Sequence, residues 1–237
     1  MEKLRVLSLF SGIGAYEQAL TNLKIQHEVV NYCEIDKYAS KCYSLIHNVP
    51  ESKNLGDVSK VEDKDLPQCD LLTWGFPCTD ISVAGKMQGI VKGVTRSGLY
   101  YEGLRILRAT KPKYSIVENV KNLVSKKFKP QFESMLQDFD ECGYNSYISL
   151  LNSKDFGVAQ NRERVFVISI RKDIDDGSYT TPLGFPLDHR LKDVLESEVD
   201  DKYYINNDRA EKLIAQIQKQ LLEKTTIAVS NQATKVD

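Results

Sequence analysis

The chain has 237 residues, 41% hydrophobic and 27% charged, with a formal net charge of −1. This is the composition of an ordinary globular chain, with room for one large domain or one domain and a small appendage. The near-neutral balance excludes a globally basic nucleic-acid binder, and no apolar run approaches the roughly 20 residues that span a bilayer.

Five cysteines, at positions 33, 42, 69, 78 and 142, form no C-x-x-C pair, and the three histidines show no ligand spacing. Neither a structural zinc site nor a disulfide framework is expected, no metal is implied, and a reducing cytoplasm is the expected compartment. Lys3 and Arg5 precede an apolar run as in a signal peptide, but Val6 to Phe10 is too short for its hydrophobic core.

The first predicted strand, Leu4–Phe10, runs into FSGIG and then into a helix over Ala15–Leu23. Glycines at 12 and 14 let a backbone approach a ligand, and the following helix N-terminus favours anions; a tight strand–helix turn without a ligand fits equally. A second strand, Glu28–Glu34, ends on a carboxylate suited to a ribose diol, and a helix follows over Lys37–His47. Asp57, in LGDVS, stands where it can accept from an adenine amino group. A nicotinamide dinucleotide site would want a third glycine at position 17, which is Glu. An adenosine cofactor without a pyrophosphate fits better, and S-adenosylmethionine is the candidate.

The third strand, Asp70–Gly75, leads into GFPC. Gly75 admits unusual backbone angles and Pro77 fixes its own φ, which suits either a turn or an aimed nucleophile at Cys78. The stretch SVAGKMQGIVKGVTRSG follows, with glycines at 85, 89, 93 and 98 and the cations Lys86, Lys92 and Arg96. Helix composition returns over Leu99–Thr110 and Pro130–Cys142, with strands at Tyr114–Glu118, Tyr147–Leu151 and Val165–Ile170. Runs without polar alternation, such as Val165 to Ile168, suit strands covered on both faces. The alternation predicts an α/β fold with a mostly parallel sheet and helices on both faces.

After Arg171 the texture changes to a Gly-, Pro- and Asp-bearing loop, a short Leu191–Glu196 segment and an amphipathic helix over Asp208–Lys224. We expect a core over 1–172 and a peripheral segment over 173–237.

Taken together, LSLFSGIG, Glu34, GDV, GFPC, RSGLYYEGLRIL, KPKYSIVENV and QNRERVFVISIR, in order from residue 4 to about 171, resemble the DNA cytosine-C5 methyltransferase family. The resemblance implies a Rossmann-like S-adenosylmethionine-dependent fold. It implies that Phe10, Ser11, Gly12, Ile13 and Gly14 line the cofactor and that Glu34 holds its ribose. Ile35 and Val58 would flank the adenine, Asp57 would bind its amino group, and Pro77 and Leu99 would pack on the cofactor. Ala15 and Thr79 depart mildly from the family's usual Gly and Gln.

The chemistry then assigns roles. Cytosine C5 is a poor nucleophile until a thiolate adds at C6, which the resemblance assigns to Cys78. Glu118 would donate at N3, its protonated form favoured by burial; Arg164 would hold O2, and Arg162 would position backbone or phosphate. The base has to leave the stack of duplex DNA, and the loop carrying Ser82, Gly85, Lys86, Lys92 and Arg96 would close over it.

A cysteine hydrolase would need a general-base His in a matching motif, and a non-catalytic relic would not keep Cys78, Glu118 and Arg164. A tRNA methyltransferase of the same family remains open. The expected context is bacterial or phage DNA modification or self-protection. The family's target-recognition region and its later Gly-Asn motif have no counterpart after Arg171, so this chain is expected to be a catalytic half whose remainder either comes from a second polypeptide, as a partner, or is lost by truncation.

Overall fold

The computed structural model describes residues 3–82, 85 and 87–233, with side chains of the last helix as far as Gln220. Lys86, predicted to contact DNA, lies outside the described residues. The chain forms two compact units, 1–189 and 190–237.

The first unit is built on a six-stranded sheet in the order β2-β1-β3-β4-β6-β5. Its strands are β1 (Leu4–Leu9), β2 (His27–Cys33), β3 (Leu71–Trp74), β4 (Tyr114–Val120), β5 (Tyr144–Asn152) and β6 (Glu163–Arg171). The strands β2, β1, β3 and β4 pair in parallel, and β6 enters antiparallel between β4 and β5. The helices are α1 (Ala15–Asn22), α2 (Lys37–His47), α3 (Tyr100–Thr110) and α4 (Lys129–Glu141).

All four residues of β3 and the last four of β1 are buried, which is why these strands are mostly apolar. The few polar side chains there are paired: Thr73 donates to Ser8 at 3.1 Å and the Trp74 indole donates to Ser115 at 2.9 Å. Trp74 anchors the core, stacked on Tyr100 of α3 and meeting Phe139 of α4 edge-on. A smaller cluster of Val29, Tyr32 and Tyr43 joins β2 to α2. Asp36 caps α2, accepting from the N–H groups of Tyr38 and Ala39.

Several boundaries differ from the sequence expectation. β1 stops at Leu9 because Phe10 turns to φ +53°. β4 continues past Glu118 to Val120, and β5 begins at Tyr144 because its partner β6 extends pairing to Arg171. Residues 173–189 lie along β5: Tyr147 donates to Asp175, and the Ser149 hydroxyl meets Tyr179 and Thr181 at 3.1 and 2.9 Å. In the second unit, Leu191–Val194 is a single 3₁₀ turn, and α5 (Asn207–Ala233) is longer than the sequence suggested. No helix among the described residues is long and apolar enough to cross a membrane.

Candidate active site

The loop FSGIG leaves β1 with an alternating backbone: Phe10, Gly12 and Gly14 all take positive φ, at 53°, 56° and 86°. Glycine accepts this freely, but Phe10 does not, and such strain in a non-glycine residue concentrates at functional sites. The loop is held by Ser11 N–H donating to the Cys33 carbonyl at 3.1 Å and Gly12 N–H donating to Glu34 Oε2 at 2.8 Å. Glu34 Oε1 accepts from Asp36 N–H at 2.7 Å, so its carboxylate is fixed at the end of β2.

A cleft of about 200 Å³ opens beside this loop. Of the residues predicted for the cofactor, Phe10, Glu34, Ile35, Asp57, Val58, Pro77 and Leu99 line it, as do Cys33, Gly56 and Arg96. Ser11 lines a neighbouring cleft instead, Gly14 packs against α2, and Ile13 is largely exposed. Asp57 accepts from the hydroxyl and N–H of Ser59, which hold its carboxyl below the usual carboxylate range and keep it an acceptor. The donor set suits an adenosyl group: a fixed carboxylate for a diol, a second acceptor, and apolar walls from Phe10, Ile35, Val58 and Leu99.

The second cleft, about 570 Å³, shares Phe10 with the first and is lined by Gly75, Tyr16, Glu118, Arg162 and Arg164, among others. Glu118 accepts from Arg164 Nε at 2.8 Å, and Arg162 lies 4.0 Å from the same carboxylate oxygen. Antiparallel pairing of β4 with β6 places these groups together, with Arg164 opposite Val120. Gly75 permits the approach: a Cβ there would lie 3.3 Å from the Glu118 carbonyl and 3.5 Å from its carboxylate. Strand order is the reason to expect Glu118 near Cys78, and burial the reason to expect it protonated; its carboxylate is only partly buried and has the Arg164 guanidinium as a partner.

Cys78 sits in a turn whose backbone is tied on every side. Its carbonyl accepts from the N–H groups of Ile81 and Ser82 at 3.0 and 2.7 Å. Asn119 donates its amide to the Phe76 carbonyl at 3.1 Å, Ser97 donates to the Pro77 carbonyl at 2.7 Å, and Asn122 donates to the Ile81 carbonyl at 2.5 Å. Among the other cysteines, burial pushes the Cys33 thiol up to about 12 and Cys69 up to about 11, which leaves both inert at neutral pH. Cys78 is partly exposed.

The predicted DNA loop is distributed. Ser82 and Gly85 continue the Cys78 turn, and a Cβ on Gly85 would strike the Thr79 carbonyl. Lys92 lies over the Tyr101 ring at 5.8 Å, while Arg96 lines the cleft of Glu34 and Asp57. Sequence reasoning missed Asp80, Ser97, Asn122 and Tyr16; an Asp two residues past Cys78 and a Ser in RSG were the available signals. Among the described residues no group of His, Cys, Asp and Glu could hold a metal ion.

Residues 4–236 match the family described as C-5 cytosine-specific DNA methylase. The chain is 40% identical to the orphan methyltransferase M.Rho11sI of Bacillus phage rho11s, over 92% of this chain and 49% of that protein. It is 35% identical to the type II methyltransferase M2.ScrFI of Lactococcus lactis subsp. cremoris, over 87% and 71% respectively. The S. pombe Dnmt2 methyltransferase shares the fold with a TM-score of 0.66 at 24% identity, covering 89% of this chain and 65% of that one. The Entamoeba histolytica methyltransferase EhMeth does so with 0.70 at 20%, covering 88% and 64%. The chain spans about half the length of the phage relative. Its fold, its motifs and these matches lead to one conclusion: the chain belongs to the C-5 cytosine-specific DNA methylase family.

Proposed function

We propose that the chain is the catalytic portion of a DNA (cytosine-5-)-methyltransferase that uses S-adenosylmethionine and acts on a cytosine flipped out of duplex DNA. The observation that carries this reading is the convergence of Gly75, Glu118 and Arg164 next to the tied turn of Cys78, with the Glu34–Asp57 cleft alongside.

Bound in that cleft, the cofactor would supply an electrophilic methyl group. Glu34 would hold its ribose, Asp57 its adenine amino group, and Phe10, Ile35, Val58, Pro77 and Leu99 would enclose it. Cys78 would add through its sulfur to C6 of the base, which raises electron density at C5. Glu118 would supply a proton at N3, and Arg164 would hold O2 against the charge that develops on the ring. Once C5 carries the methyl group, loss of the C5 proton to water or hydroxide would expel the Cys78 thiolate, and the N3 proton would return to Glu118. Arg162 would position the backbone or a phosphate, and the 82–96 segment would contact DNA.

The part of the relatives that this chain does not span is proposed to supply sequence recognition, from a longer protein or from a second polypeptide. The proposed setting is the cytoplasm of a bacterium, in DNA modification or phage self-protection. Transfer of a labelled methyl group to duplex DNA, compared with tRNA, tests the substrate. Label on DNA cytosine supports the reading, label on tRNA alone replaces it with the tRNA reading, and label on neither, with recognition region present, removes both.

A further inference from the structure

We propose that Asp80 and Ser97 are a positioning pair that holds the backbone on both sides of Cys78 in the orientation its thiol needs for attack. The proposal rests on the methyltransferase reading of Cys78.

The two residues are buried, Ser97 at 0% exposure and Asp80 at 7%. Asp80 Oδ2 accepts from Ser97 N–H at 3.0 Å and from the Thr79 hydroxyl at 3.3 Å. In return the Ser97 hydroxyl accepts from Asp80 N–H at 3.3 Å and donates to the Pro77 carbonyl at 2.7 Å. One hydroxyl therefore grips the peptide entering Cys78 and the peptide entering Asp80. The two bonds between Asp80 and Ser97 are buried, where a lost partner leaves a polar group without water to replace it.

A capping role for Asp80 does not account for this contact. The turn Arg96–Leu99 is already capped by Thr95, whose side chain accepts from Gly98 N–H. Nor is Ser97 a freely moving loop residue, because the next helix begins at Tyr100, which stacks on Trp74 in the core. Through Ser97 the nucleophile turn is thus referred to α3 and to the strand it leaves. The Asp80 carbonyl also accepts from Gly89 N–H at 2.8 Å, so the segment between them is closed at its neck. Hydrogen bonds from the Ser97 N–H foremost and from the Thr79 hydroxyl hold the Asp80 carboxyl below its ordinary range, which keeps it an acceptor at neutral pH.

The test compares the parent chain with Asp80→Ala, Ser97→Ala, Asp80→Asn and the double alanine variant. Cofactor KM and kcat for methyl transfer to DNA are measured with the recognition region present. The rate at which iodoacetamide alkylates Cys78 is followed by mass spectrometry of its peptide. Each alanine variant should lose about tenfold or more in kcat while cofactor KM stays within about twofold. Cys78 alkylation should change in each, and the double variant should fall no further than the worse single one, as expected of one unit. Asp80→Asn keeps the volume and one acceptor oxygen, so it should recover part of the loss; it also carries the test if the alanine variants melt early. Parent-like kcat and Cys78 alkylation in Asp80→Asn and Ser97→Ala, or equal losses in kcat and cofactor binding, would overturn the pairing. Alkylation needs neither cofactor nor DNA. A parent chain that methylates nothing therefore defeats the methyltransferase reading, whereas unaltered Cys78 alkylation defeats the positioning pair.

Discussion

His47 occupies the space into which any side chain at Gly14 would project. A Cβ on Gly14 would strike the His47 imidazole and lie 2.9 Å from Tyr43 Cε2. The same imidazole has its Nε2 2.9 Å from the Ile13 carbonyl, so α2 braces the loop between β1 and α1 from behind. Gly14 also sits at φ +86°, where a Cβ is strained in its own right.

Gly14→Ala is therefore expected to destabilise the fold by about 1–3 kcal/mol and to weaken S-adenosylmethionine binding about tenfold or more. Thermal unfolding and titration calorimetry measure the two effects. His47→Ala in the Gly14→Ala background should restore part of the loss by vacating the space. A double variant no better than Gly14→Ala would mean that backbone strain, not the collision, dominates.

Cys78→Ala should abolish methyl transfer while cofactor affinity stays within about twofold, because the thiol acts on the base. DNA carrying 5-fluorocytosine should trap the parent chain covalently, since fluorine cannot leave C5 as a proton. A band that resists denaturing electrophoresis, absent from the variant, is the readout. Full turnover by Cys78→Ala would remove the nucleophile assignment.

Glu118→Gln should slow transfer about a hundredfold, in the range of lost general-acid catalysis, with cofactor binding largely kept. Glu34→Ala and Asp57→Ala should instead raise the cofactor's dissociation constant. Calorimetry that found the opposite pattern would exchange the two sites. Arg164→Lys should be nearly as slow as Glu118→Gln, because Nε of Arg164 is the atom that meets the Glu118 carboxylate, and lysine has no second donor fork to offer.

The end of the sheet opposite the site carries a different chemistry. Asp70 accepts from Arg5 Nε at 2.9 Å and lies 3.3 Å from Lys113 Nζ, clipping together the starts of β1, β3 and β4. These hydrogen bonds, Arg5 foremost, hold its carboxyl down at about 2. A folded-state pKa below the unfolded value means stability that is present above about pH 4 and lost as pH falls toward 2. With the carboxylate mostly buried, the contribution is on the order of 2 kcal/mol. Urea unfolding of Asp70→Asn should show a deficit of that size at pH 7 that shrinks below pH 4 and vanishes near pH 2. A deficit independent of pH would mean that shape, not charge, sets it.

The elements legible in the sequence are those whose burial writes an unambiguous pattern. β1 and β3 are covered on both faces, so LRVLSL and LLTW have no other reading, and Glu34 announces the end of β2 by its position. The start of β5 is not legible, because Tyr144-Asn145-Ser146 looks like a turn; it becomes strand only through antiparallel register with β6, where Ser146 meets Ser169 at 2.8 Å. Positive φ at Phe10 was invisible for the opposite reason, since nothing local favours it in a bulky residue. The place of Glu118 beside the third strand could be read from strand order, but its contact with Arg164, set by the antiparallel entry of β6, could not. The Asp80–Ser97 contact joins residues seventeen positions apart, and no periodicity marks which side chains meet at a loop's neck.

Trp74 is the chain's one tryptophan, fully buried and four residues before Cys78, with its indole N–H held by Ser115. Its emission therefore reports on a single place, the strand that leads to Cys78, against no competing indole. Ordering or loosening of that strand registers as a change in tryptophan fluorescence, and an early red shift marks melting there before the whole domain unfolds. Trp74 is thus a built-in optical gauge of the Cys78 turn, without a label.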